Sequence, residues 1–160
     1  MSEESEEGDG GSRHGRRVTR AGRRAETGQE RSVTLPSTPE SVRRARRLTS
    51  MALTEFGVRA SASLADASLL IVTELVANAV RHARCSPDIG LVVSVRDGFI
   101  ELKVSDGDPR VLDLRFRAAG EGLRTIGELI AERGGEIRVD PPSVGEGKVV
   151  SVRLPRRSRG

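Results

Sequence analysis

Apolar and polar positions alternate with two different periods, and the change of period divides the chain. Residues 31–35 read as a short strand closed by Pro36. Ser37-Thr38-Pro39-Glu40 then has the form of a capping box with proline in the first turn. Val42, Ala45, Thr49, Ala52 and Phe56 follow at three/four spacing, which predicts an amphipathic helix ended by Gly57. A second helix starts near Ser61 or Ser63 and runs to about Ala83, stopping before Ser86-Pro87. It is apolar on much of its circumference, through Leu70, Ile71, Val72, Leu75, Val76, Ala77, Ala79 and Val80, so it must be largely buried. From Gly90 the period becomes two. Leu91, Val93 and Val95, the turn Asp97-Gly98, and Ile100, Leu102 and Val104 predict a β-hairpin. Residues 107–121 have poor periodicity and form a long loop, and loops of that length in compact domains are often functional. Leu123, Ile126, Leu129 and Ile130 define a third helix stopped by Gly134-Gly135, and residues 136–139 and 148–154 make two further strands. Helices and an antiparallel-type sheet largely segregated in sequence predict an α+β fold, a two-layer sandwich.

Composition narrows this picture. A chain of 160 residues with 36% hydrophobic content holds material for one core, so a single domain is expected over residues 31–155. Residues 1–30 hold seven acids and six arginines with almost nothing apolar, which predicts a disordered tail, and residues 156–160 form a short basic one. The arginines at 16, 17, 20, 23 and 24 are either solvated or an electrostatic arm for an acidic partner. No apolar run approaches the roughly 18 to 20 residues of a membrane span, and the acidic, glycine-rich N-terminus is no export signal, so a cytoplasmic protein without a membrane partner is expected. The lone Cys85, with only His14 and His82 beside it, gives neither a disulfide nor a zinc constellation. Lys103 and Lys148 are the only lysines, and arginine dominance with many Ala, Val and Gly residues is the composition of a GC-rich bacterial genome. The first thirty residues carry −1 and the remainder +5, but the arginines there are scattered, Trp and Tyr are absent, and the three Phe residues are far apart. That combination argues against nucleic-acid binding.

Three places carry candidate chemistry. On the second helix Glu74 and Asn78 lie one turn apart on one face, with His82 a further turn along. On spacing alone a solvated rim is the ordinary reading of both; the alternative is a metal–phosphate group, which would supply the partners that a carboxylate and an amide require. Asp106 lies two residues beyond Val104, so a persisting strand aims its carboxylate at the buried face, while Asp106-Gly107-Asp108-Pro109 can also simply begin a turn. Gly120-Glu121-Gly122 opens the third helix with free backbone N–H groups at the positive end of the dipole, the usual physical solution for phosphate.

The ordered set resembles the GHKL (histidine kinase/gyrase-like) ATPase superfamily, and more closely its small anti-sigma-factor serine/threonine kinases of actinobacterial type. Thr73-Glu74-Leu75-Val76-Ala77-Asn78-Ala79-Val80-Arg81-His82-Ala83 is similar to that family's N-box. Val104-Ser105-Asp106 is similar to its first glycine-box strand, Gly120-Glu121-Gly122-Leu123 to the second, and residues 147–155, ending in Leu154-Pro155, to its closing strand. The resemblance implies the Bergerat fold, with a mixed, mostly antiparallel sheet and three main helices on one face. It implies ATP and Mg²⁺ as cofactors, with Asn78 the metal ligand, Glu74 the general base and Asp106 the acceptor of the adenine amino group. It also implies that residues 107–121 form a lid, with Gly107 at its base, Gly120 and Gly122 as its hinge, and the N–H groups near Leu123 cradling phosphate. Val149 stands where many relatives carry a threonine near the adenine, and Asp108-Pro109 replaces the usual glycine-x-glycine continuation. The implied activity is transfer of the ATP γ-phosphoryl group to an anti-sigma-factor antagonist, with a sigma factor as further partner and a homodimer as the expected assembly. The other reading is a regulatory module of the same fold that binds ATP or only a protein partner. A histidine-kinase catalytic fragment would need a phosphoacceptor helix, but His14 falls in the tail and His82 on the N-box helix.

Overall fold

A computed structural model describes residues 28–58, 62–82, 85–109 and 120–156. The tail expected over residues 1–30 therefore falls almost wholly outside the described residues, as do the last four residues and positions 110–119 of the expected lid. The elements run in the order β1 (Gln29–Pro36), α1 (Glu40–Glu55), α2 (Ala62–His82), β2 (Asp88–Arg96), β3 (Phe99–Asp106), α3 (Glu121–Glu132), β4 (Glu136–Asp140) and β5 (Lys148–Pro155). The five strands form one sheet in the order β1-β2-β3-β5-β4. Every described pairing is antiparallel, so the sheet lacks the mixed component expected of it, while the α+β sandwich is as predicted.

Local chemistry sets the boundaries. Asp97 and Gly98 both take positive φ, 52° and 78°, in the two-residue turn between β2 and β3, because that twist matches the flanking strands. Gly57 at φ 70° ends α1 with Val58 N–H donating to Leu53 O at 2.9 Å, and Gly134 at φ 65° ends α3 with Gly135 N–H donating to Ile130 O at 2.9 Å. Both are Schellman closures, which need the left-handed residue. The capping box expected at the start of α1 is not formed: Pro39 is the N-cap and offers no side chain, and the Ser41 hydroxyl instead donates to Pro36 O at 2.6 Å.

The strict alternation of β3 and β5 sends every second side chain to the helix layer. The register joins these into inward rows: Val95–Ile100–Leu154, Val93–Leu102–Val152 and Leu91–Val104–Val150, all apolar. The fourth row, at the end of the sheet, is Ile89–Asp106–Lys148. Over this face α2 packs through Leu64, Ile71, Val72, Leu75 and Val76, flanked by α1 and α3. Residues 63–82 are long and apolar enough by composition to cross a membrane, contrary to the sequence reading, because Asp66, Glu74 and Arg81 are their only Asp, Glu, Lys or Arg; half of the stretch is buried in the domain's own core. The hydroxyls of Thr49 and Ser68, fully enclosed here, donate back to Ala45 O and Leu64 O at 2.9 and 2.8 Å and so carry no desolvation debt. The opposite face of the sheet is polar, with Glu30, Arg96, Glu101, Lys103, Arg153 and Glu136 across neighbouring strands, as a solvated antiparallel face requires.

Candidate functional site

The last inward row of the sheet, the C-terminal half of α2 and the first turn of α3 meet at one end of the domain. Their convergence follows from connectivity: α2 leads directly into β2, whose first inward residue is Ile89, and β3 ends at Asp106. The polar stripe of α2 therefore faces the same end.

Asn78 is 7% exposed, and its side chain has no hydrogen-bond partner among the described residues. Its polar atoms are not sealed off, since among the described residues only Arg153 Nε is both enclosed and without a hydrogen-bond partner. The amide tip can therefore be reached from outside. Glu74, one turn earlier, is half-buried and also has no hydrogen-bond partner among the described residues. Its carboxylate lies on the first turn of α3: a β-carbon built at Gly122 would stand 1.9 Å from Glu74 Oε2. That turn has Gly120 as N-cap (φ −57°, ψ 164°) with no side-chain cap, so its first N–H groups lack helical acceptors and carry the positive end of the dipole. The carboxylate thus lies beside a helix start whose first N–H groups have no side-chain cap.

Asp106 and Lys148 form a buried pair. Lys148 Nζ donates to Asp106 Oδ1 at 2.9 Å and to Asp108 O at 3.2 Å, and Asp108 N–H donates to the same Oδ1 at 2.9 Å. The Asp106 side chain is 4% exposed. Oδ2 makes no hydrogen bond among the described residues. Gly147, at φ 130°, passes so close that a β-carbon would stand 2.1 Å from Asp106 O, so only glycine fits there.

The remaining predicted positions divide. Gly107 is at the base of the loop, but its N–H donates to Ser86 Oγ at 2.8 Å, and Ser86 in turn donates to Asp88 O at 2.6 Å, so that donor is already used. Gly120 is exposed with open space about it, whereas Gly122 is the contact point with Glu74. Leu123 buries its side chain in the core and brings only its backbone to the site. Val149 lies opposite Ser105 on the outer face of the sheet, so the residue of β5 beside Asp106 is Lys148. That lysine was missed, although its parity with Val150, Val152 and Leu154 was available in the sequence. Among the described residues no group of three or more His, Cys, Asp or Glu could hold a metal alone, so any cation here needs ligand or water oxygens besides Asn78 and Glu74.

The model of the histidine kinase-like ATPase domain matches residues 35–140, well over half of the chain. The chain belongs to this family. The match takes in Glu74, Asn78, Asp106 and the start of α3, and leaves out β5 with Lys148. Membership supports ATP binding and a kinase-like or regulatory role. Among solved structures the domain is similar to the histidine kinase domain of the blue-light activated histidine kinase from Erythrobacter litoralis, at 24% identity and TM-score 0.48 over 58% of this chain and 45% of that one. The same figures hold for the blue-light activated histidine kinase of that organism, of which 32% is covered. The chain thus spans less than half of either structure. No curated protein matches it significantly.

Proposed function

We propose that this histidine kinase-like ATPase domain is a cytoplasmic Mg·ATP-dependent serine/threonine protein kinase of the anti-sigma-factor type. Its substrate would be an anti-sigma-factor antagonist, and it would act on transcription by partner switching with a sigma factor, as a homodimer. The observation that carries the reading is the pairing of Asn78, a buried amide with no partner among the described residues, with the Glu74 carboxylate one turn away on the uncapped start of α3.

The residues suit phosphoryl transfer. The Asn78 side-chain oxygen is a hard ligand open to the site, and with water and phosphate oxygens it would complete the shell of Mg²⁺, which neutralises charge on the triphosphate. The free N–H groups of α3 hold phosphate oxygens. Glu74 accepts the proton of the attacking serine or threonine hydroxyl as its oxygen bonds to the γ-phosphorus and the bond to the bridging oxygen of ADP breaks. Asp106 Oδ2 accepts a hydrogen bond from the adenine amino group. Gly122 keeps α3 and Glu74 in contact.

Calorimetric titration with ATP, with and without Mg²⁺, tests the site. Binding should depend on magnesium and weaken at least about tenfold in Asn78→Ala, whereas Glu74→Gln should bind ATP and lose γ-phosphate turnover by about 10²–10⁴-fold. No binding at millimolar ATP, or undiminished turnover in Glu74→Gln, would refute the proposal.

A further inference from the structure

The fourth inward row of the sheet is chemically unlike the other three. Rows one to three are apolar throughout, and a Leu or Val at positions 106 and 148 would continue them. A buried ion pair is no better for stability than such a pair, because desolvation offsets most of the attraction. Asp106 and Lys148 therefore call for an explanation outside the core.

Their unspent hydrogen-bonding capacity supplies one. An ammonium has three donors. Two go to Asp106 Oδ1 and Asp108 O, leaving one. The carboxylate has Oδ1 saturated by Lys148 and by Asp108 N–H, leaving Oδ2. What the pair offers a ligand is one acceptor beside one donor. The edge of adenine presents the complement, one amino donor (N6) beside one ring acceptor (N1). Guanine can meet the same pair through N1–H and O6, so what the pair reads directly is an acceptor at the N1 edge of adenine beside its amino donor.

Resting on the reading of Asp106 as the acceptor for the base, we propose that Lys148 is a specificity-determining residue of the nucleotide site. Its third Nζ hydrogen is donated to N1 of adenine while Asp106 Oδ2 receives the N6 amino hydrogen.

The test is a pair of binding isotherms, for ATP and for 1-deazaadenosine triphosphate, which lacks N1 and keeps the amino group. The wild-type chain should bind the 1-deaza analogue about tenfold or more weakly than ATP. In Lys148→Met the analogue and ATP should bind alike. Lys148→Thr, whose hydroxyl is too short to reach the base, gives the same expectation if the methionine variant does not fold. Equal binding of ATP and the 1-deaza analogue by the wild-type chain would overturn the inference whatever the variants do, and so would a penalty that persists unchanged without Lys148. In both cases the ATP site itself would stand; loss of all ATP binding to the wild-type chain would instead strike the proposed function.

Discussion

Replacing Gly122 by alanine separates the stability of the domain from the placement of its carboxylate. The new β-carbon would fall 1.9 Å from Glu74 Oε2 and 2.8 Å from Glu74 Cδ. Restoring an ordinary carbon–oxygen contact needs a displacement of about 1.5 Å. The carboxylate is the free end of a flexible side chain, so it yields in preference to the helix backbone. Gly122 has no positive φ, and alanine is the better helix former by about 0.8–1.0 kcal/mol, which offsets the local repacking. The unfolding temperature should therefore change by no more than about 3 °C in either direction. Turnover should not be spared: a reacting group misplaced by about 1 Å costs about 10²-fold. Thermal unfolding followed by circular dichroism, ATP affinity by calorimetry and release of γ-phosphate would be measured on one preparation. Unchanged turnover would show that Glu74 does not act from the position it holds on α3. A fall in unfolding temperature of 10 °C or more would show that the contact is structural.

Gly147→Ala should do the opposite, losing about 2 kcal/mol or more in chemical denaturation, because φ 130° and the 2.1 Å approach to Asp106 O leave no room for a side chain. Asp106→Leu alone strands the Lys148 ammonium and should cost about 3–5 kcal/mol, while the double variant with Lys148→Met should recover most of that loss in the same measurement. Glu40, held below its usual 4.5 by its own backbone N–H and then by the Thr38 hydroxyl, should contribute stability above the unfolded carboxyl range and lose it as pH falls through its lowered folded value. The difference in unfolding temperature between Glu40→Gln and the parent chain should accordingly be steady near neutrality and shrink below pH 4.5.

What could be read from the sequence was whatever a short stretch determines by itself. Gly57, Gly134 and Asp97-Gly98 stop helices or turn strands through their own φ, so their roles were visible without a partner. The inward aim of Asp106 followed from counting by two along one strand. Lys148 required the same count on β5 and also the register that sets it opposite Asp106, and register is a property of two strands. The role of Gly122 needed the packing of α2 on α3, which no local pattern encodes; the sequence placed the glycine at a helix start and could not show Glu74 lying on it. The cap of α1 failed for a related reason. Four suitable residues were present, but the N-cap position fell to Pro39, which has no side-chain oxygen to offer.

The position of the site follows from the same division between local and distant determinants. Asp106 is the last residue of β3, Lys148 the first of β5, Gly122 lies in the first turn of α3, and Asn78 is about one turn from the end of α2. Element ends are where backbone donors lack partners and where a buried side chain can still be reached from outside. Collecting the polar groups there leaves the three apolar rows of the sheet uninterrupted, so the core need not accommodate them. It also places the loop between β3 and α3 between two of the site's own components, since Asp106 precedes it and Gly122 follows it.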